Sequence, residues 1–403
     1  MKPMNICENS HDQRPHANGD SLLHLSSSLT EHEVRGLGAL FNFADGHAYN
    51  EIHPELQSII TDVRSVWDHG CVKPIPIMEQ EFKSSLATLL ESPTLDLHSH
   101  FSLCPTASNS IDIVGAWLNS KAYRVGLLEP VFDNLYLMLR RRGVQIAPIQ
   151  EKELLDLEEL ENQVDLLKLN ALFIVTPNNP TGFELSAEEF GALCALCARK
   201  GIVLIVDRTF RFYATVSYDD YKIMSNSGVD FIVVEDTGKT WPTQDLKVSL
   251  LAYSDSLAHD LRVLYEEIFL CTSNFTVALL SKILQRTATV GIQEIVHKEV
   301  MVRRAKVAAA LKGSPLNIVE LNGAAKLPFV WLDCSATGLQ DVEVIETLYR
   351  SNIALLPGRY FYWNSSGEHT SNLRLALMRP RAVFDCGIRA LAGACCEQLK
   401  LVA

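Results

Sequence analysis

No apolar run in this 403-residue chain approaches the ~20 residues that span a bilayer, which excludes a membrane-crossing helix. The polar start Met1 to Asp20 lacks the apolar core of a secretion signal, so a cytoplasmic location is expected. Positive charge is in deficit too. With a formal net charge of -12 there is no basic stripe to neutralise phosphates, and nucleic acid is excluded as a partner. Metal-binding patterns are missing: Cys194 and Cys197 form a C-x-x-C with no second such pair and no paired histidines. The stretch from Ser186 to Leu193 before them is amphipathic, so they read as a buried helical face. Cys395 and Cys396 are adjacent and cannot easily bridge each other. The ten cysteines therefore read as free thiols in a reducing compartment, and no metal is expected. No internal repeat or low-complexity linker divides the chain. With 47% hydrophobic and 21% charged residues, it can bury a large core in two or three domains.

Patterning predicts an α/β fold. Residues 1–25, rich in Asn, His, Asp and Pro, read as disordered. A segment over residues 26–55 follows, in which Thr30 reads as the N-cap of a short helix with acidic first-turn residues. Residues 55–115 look mostly helical, and short apolar runs alternate with helical segments from Ala122 to Gly201, as a mostly parallel sheet requires. Ser256 to Leu311 reads as long helices. The last part reads as strands at Leu327–Leu332 and Leu373–Leu377, with helices at Asp341–Ser351 and Ala382–Leu399. The expected division is a large domain over 56–290 and a smaller C-terminal α+β domain over 291–403.

Three buried strands end on chemically capable residues. Leu172–Val175 delivers Asn178-Asn179-Pro180-Thr181-Gly182, Ile202–Val206 delivers Asp207, and Phe231–Val234 delivers Asp236-Thr237-Gly238-Lys239. In an open α/β sheet ligands bind outside the carboxyl ends of strands, so Asn179, Asp207 and Lys239 can converge. They meet the needs of pyridoxal 5'-phosphate (PLP): a lysine for the Schiff base, a carboxylate for the ring nitrogen and a donor for the phenolate oxygen.

With the late Arg374-Leu375-Ala376, these motifs resemble the fold type I PLP enzymes of the aminotransferase class I/II superfamily, from about residue 100 to the C-terminus. The resemblance implies that Thr106, Ala107 and Ser108 hold the phosphate at a helix start, where free amides and the helix dipole favour an anion. It also implies that Phe132 stacks on the pyridine and that Thr209 lies in the cofactor site. Two positions depart from the usual pattern: Phe210 replaces a tyrosine, and Lys247 replaces a phosphate-binding arginine, keeping the charge but losing the bidentate fork. Asp236 stands where serine is common. An acid beside the phosphate would be repelled, so Asp236 is expected to face a cationic substrate, while Arg374 grips the α-carboxylate.

Further segments extend the resemblance over nearly the whole chain. Thr30-x-x-Glu33, Asn42-Phe43-Ala44-Asp45-Gly46-His47, Glu235–Thr243 and Asp245-Leu246-Lys247 are similar to the PLP-dependent L-arginine oxidase/hydroxylase family of non-ribosomal peptide pathways; Arg208 is the main mismatch. That family implies guanidinium binding by Thr30, Glu33 and Asp236, and His47 over the reacting face. It implies an O2-using enzyme that makes 2-oxo and 4-hydroxy-2-oxo acids of L-arginine for antibiotic or toxin biosynthesis. Enzymes that cyclise a hydroxyarginine to enduracididine or capreomycidine look similar here, and an ordinary aminotransferase is a third reading. A homodimer is expected, with Tyr265 and Phe269 near its surface.

Overall fold

The computed structural model describes residues 28–319 and 326–399; the expected disordered start, residues 1–25, lies outside them. In chain order the helices are α1 (Leu29–Gly36), α2 (Gln57–Thr61), α3 (Val63–Val72), α4 (Ile75–Leu89), α5 (Pro93–Leu97), α6 (Ala107–Ser120), α7 (Asp133–Arg141) and α8 (Leu157–Leu167). They continue with α9 (Ala187–Lys200), α10 (Asp220–Ser227), α11 (Asp255–Ile268), α12 (Asn274–Val290), α13 (Lys298–Ala310), α14 (Asp341–Arg350) and α15 (Arg381–Glu397). Among the described residues, no helix is long and apolar enough to cross a membrane. Cys194 and Cys197 are free thiols buried on α9, within its apolar face.

After a short β1 (Phe41–Asn42), the central sheet is built from β2 (Phe101–Cys104), β3 (Arg124–Glu129), β4 (Gln145–Gln150), β5 (Ala171–Val175), β6 (Val203–Asp207), β7 (Phe231–Asp236) and β8 (Ser249–Tyr253). Their spatial order is β2-β8-β7-β6-β5-β3-β4. The strands from β7 to β4 run parallel, and β8 lies antiparallel to both β7 and β2. Every residue of β5, β6 and β7 is buried, which explains their unbroken apolar runs: helices cover both faces of this part of the sheet. From β3 the chain moves outward to β4, then returns to β3's other side as β5. Strand order therefore reverses between β3 and β5, and their carboxyl ends part to leave a crevice.

A second, antiparallel sheet has the order β12-β13-β10-β9, from β9 (Asn317–Ile318), β10 (Phe329–Asp333), β12 (Leu356–Pro357) and β13 (Asn372–Ala376). The N-terminal segment docks beside it. β1 pairs in parallel with β11 (Ile353–Ala354), and Phe43 lies so close to α15 that a Cβ on Gly387 would sit 2.5 Å from its ring.

Three expectations need correction. The stretch read as helical from 55 to 115 contains β2, whose four residues pair with β8 and are too few for alternation to stand out beside helical neighbours. The N-cap of α1 is Ser28, not Thr30: Ser28 has extended backbone, and its side chain accepts from the Glu31 amide at 3.2 Å. Thr30 is instead the second helical residue. Finally, Tyr265 faces inward, with its hydroxyl donating to the Leu103 carbonyl at 2.9 Å, so it belongs to the core and not to a surface.

Candidate active site

The turn after β7 is shaped by what must pass it. A Cβ on Gly238 would lie 2.7 Å from Lys247 Cδ, so glycine there lets the Lys247 side chain run alongside. In the β7–β8 connection Gln244 (φ 52°) and Asp245 (φ 65°) both adopt left-handed backbone, a strained choice for non-glycine residues that brings Lys247 into the site. Burial depresses the Lys239 pKa against the pull of Glu33, Asp45 and Asp236. Asp236 accepts from the Gly238 amide through Oδ2 at 3.1 Å, whereas its Oδ1 is buried without a hydrogen-bond partner.

All the residues assigned to cofactor, substrate or catalysis from the sequence line one cavity of about 300 Å³. On one wall Thr106 caps α6, and Ala107 and Ser108 present amides that a helix leaves without an intrahelical acceptor. The exits of β3, β5 and β6 contribute Phe132, Asn179, Asp207 and Thr209. The Thr209 amide donates to Asp207 Oδ1 at 2.8 Å, and burial pushes the Asp207 pKa up. Phe210, in place of a tyrosine, packs edge-on against Phe329 and offers no hydroxyl. Thr30, Glu33 and His47 reach the cavity from the N-terminal segment, with Thr30 at its exposed rim. Opposite them, Arg374 on β13 is 1% exposed and bonds the Ala44 carbonyl at 2.6 Å. Its other contacts are long, 3.3 Å to Asn179 Oδ1 and 3.5 Å to Glu33 Oε1, and its Nε has no partner.

Sequence reasoning named His47 but missed what holds it. Asp45 Oδ1 accepts from the His47 backbone amide at 2.9 Å and meets its Nδ1 at 2.5 Å, while Tyr49 donates to Asp45 Oδ2 at 2.9 Å. Burial would raise the Asp45 pKa, but the hydrogen bond to His47 and the charges of His47, Lys239 and Arg379 outweigh it, keeping the carboxylate ionised. Asp45 thus orients the ring through Nδ1 and turns Nε2 toward Lys239 Nζ and Lys247 Nζ, each at 3.3 Å. The i, i+2 spacing of Asp45 and His47 was the available signal.

The mismatched Arg208 turns away from the cavity. Its Nη1 donates to the Thr176 carbonyl at 3.0 Å and its Nε to Asp220 Oδ2 at 3.0 Å, while Arg211 bridges Asp220 and Glu235. This buried network ties together the ends of β5, β6 and β7, which carry Asn179, Asp207 and Lys239. Losing one partner of such a network costs roughly 3–5 kcal/mol, because the opposite charge is left buried.

The donor set suits PLP: free amides and Lys247 for a phosphate, buried Asp207 for a ring nitrogen, an amine of depressed pKa on Lys239, and unpartnered atoms on Asp236 and Arg374 turned to the same cavity. Comparison with known proteins agrees. The chain is 27% identical over 170 residues to human kynurenine–oxoglutarate transaminase 1, covering 38% of this chain but only 40% of that enzyme's length. Against cystathionine beta-lyase PatB of Bacillus subtilis it is 23% identical over 300 residues, covering 67% and 71% of the two chains. Among solved structures, MppP soaked with its product 2-ketoarginine is similar with a TM-score of 0.80 and 29% identity, over 87% of this chain and 98% of that one. The family described as aminotransferase class I and II matches residues 69–386. The chain therefore belongs to the class I and II aminotransferase family, an enzyme of fold type I with PLP as its cofactor.

Proposed function

We propose that this enzyme oxidises L-arginine with O2, releasing the α-amine as ammonia and giving 2-oxo and 4-hydroxy-2-oxo acids, each two-electron oxidation reducing one O2 to H2O2 while water supplies the oxo and hydroxyl oxygens. The observation that carries the reading is a pair of acids in the cavity whose hydrogen bonding is left incomplete. Asp236 holds a buried oxygen with no partner, and Glu33 is matched only by a 3.5 Å contact to Arg374. An arriving α-carboxylate would take the Arg374 fork bidentately. Glu33, released from that contact, would turn with Asp236 and Thr30 to the substrate's guanidinium. Likeness to MppP, whose soaked product is the 2-oxo acid of arginine, supports the same substrate.

When bound, PLP supplies an electron sink for the substrate's α-carbon. Lys239 Nζ is placed to take the α-proton, and Asp207 would keep the ring nitrogen protonated. Phe132 would pack on the ring, and Thr106, Ala107, Ser108 and Lys247 would hold the phosphate. His47, fixed by Asp45, stands beside the Lys239 amine, where its Nε2 can accept a proton. The α1 to His47 segment limits water at the reacting carbon while the electrons pass to O2. A cytoplasmic homodimer completes the proposal.

An oxygen electrode tests it: purified enzyme with L-arginine should consume O2 and release ammonia, with 2-oxo and hydroxylated 2-oxo acids found by mass spectrometry. An aminotransferase would consume none and need an added 2-oxo acid for turnover. Inertness to arginine, combined with ring closure of a hydroxyarginine, would instead assign the cyclase reaction.

A further inference from the structure

Thr30 and Glu33 serve the cavity only if α1 is held at the right place, and α1 is a helix of eight residues, too short to persist without tertiary contacts. Its C-terminal end is fixed to α14. Arg35 pairs with both carboxylate oxygens of Glu346, its guanidinium lies 3.9 Å from the Tyr349 ring centre, and the Tyr349 hydroxyl donates to the Arg35 carbonyl. The N-terminal end is held from elsewhere. The amide of Leu29, one of the four that an α-helix leaves without an internal acceptor, donates to Asp133 Oδ2 at 2.8 Å across 104 residues of sequence.

Asp133 is the first residue of α7, directly after Phe132. An acid at a helix start suits the dipole of its own helix, so α7 alone would account for an aspartate there. Two observations go beyond that. Asp133 is 5% exposed and spends one oxygen on a different helix, while its other oxygen, Oδ1, is buried without a partner. Moreover, the amide it holds belongs to the residue next to Thr30, and Glu33 lies one turn on along the same face. A shift at Leu29 moves both.

We propose that Asp133 is a specificity-determining positioning residue: by clamping the Leu29 amide it sets α1 against the β3 exit and thereby places Thr30 and Glu33 for a cationic distal group of the substrate. The inference rests on the arginine reading for the identity of that group, but not for the clamp itself. Asp133 touches no reacting atom. It acts through α1, converting a short helix pinned at one end into one pinned at both, so that Glu33 meets the guanidinium without first being ordered.

The test uses the holoenzyme. Asp133→Ala removes the acceptor, and Asp133→Ser keeps a hydroxyl able to serve the start of α7 but too short to reach Leu29. Both are expected to speed hydrogen–deuterium exchange over Leu29–Gly36 with the cofactor's absorbance unchanged. Both should also lower the preference for L-arginine over L-norleucine by about ten- to a hundredfold, the range for leaving one buried amide without its acceptor. Asp133→Asn, whose amide oxygen can still accept from Leu29, should retain the exchange protection and most of the preference. Unchanged exchange over α1 in the Ser variant overturns the clamp, and loosened α1 with the preference intact overturns its role in specificity. If the wild type itself does not prefer arginine, the substrate reading fails with the specificity role, while the exchange comparison still decides the clamp.

Discussion

Asp236 is the residue whose chemistry is least satisfied by the protein alone. Burial pushes its pKa up to about 6, against the opposing pull of Lys239 and Lys247, with Asp207 adding to the rise. Above pH 6 it is ionised and can meet a guanidinium; below, the proton removes that attraction. Apparent affinity for L-arginine should therefore fall as pH drops through about 6, while affinity for norleucine stays level. Asp236→Asn should flatten this dependence and weaken arginine by ~2–4 kcal/mol, the scale of losing one side of a desolvated charge pair. Equal losses for both substrates would make Asp236 a cofactor residue instead. At this scale the sequence was informative, because strand-end residues project into the crevice whatever surrounds them. For Asp45 it offered only the i, i+2 spacing to His47, because the role of that acid depends on the fold bringing the His47 ring between two lysines.

Among the elements, those buried on both faces were the most legible. β5, β6 and β7 announce themselves as unbroken apolar runs, as strands covered on both sides must. Two-residue pairs such as β1 with β11 carry no periodicity at all; here Phe41 of β1 and the nearby Phe43 pack on Gly387 of α15. The start of α1 was misplaced for a local reason, since Ser28 and Thr30 both cap well and only the helix's docking chooses between them. That docking has a pH signature. Burial pushes the Asp133 pKa up to about 7, with Glu33 adding to the rise and the amides of Leu29 and Asn134 and the charge of Arg374 opposing it. A folded pKa above the unfolded value of 3.8 means that the stability Asp133 contributes is fully present below about pH 4 and is lost as pH rises through about 7. Asparagine does not titrate. Asp133→Asn should therefore raise Tm relative to wild type at pH 8 and leave it little changed at pH 4, as followed by circular dichroism; an equal shift at both pH values would show that ionisation of Asp133 does not matter.

For the whole molecule the unresolved balance is apolar surface. α3 exposes Val63, Trp67 and Val72, α11 ends on an exposed Ile268, and the connection to α12 exposes Leu270 to 88%. These are neighbours: α3 packs along α12, Asn274 donates to the Gly70 carbonyl, and the Trp67 ring lies 6.3 Å from Phe275. A patch of this kind, with large side chains left in water on two adjoining elements, is a surface suited to a partner. Fold type I enzymes typically pair as homodimers, which makes a second copy of this chain the expected cover. The formal charge of -12 opposes association at low salt, so apolar burial must supply the attraction. Light scattering at micromolar concentration should give twice the 44.9 kDa chain mass. Leu270→Glu and Trp67→Glu each place a charge in the seam, and both should shift the mass toward the monomer while leaving the circular dichroism spectrum intact. A wild-type monomer with full activity would refute the assembly, and a dimer indifferent to both substitutions would place the contact on another face.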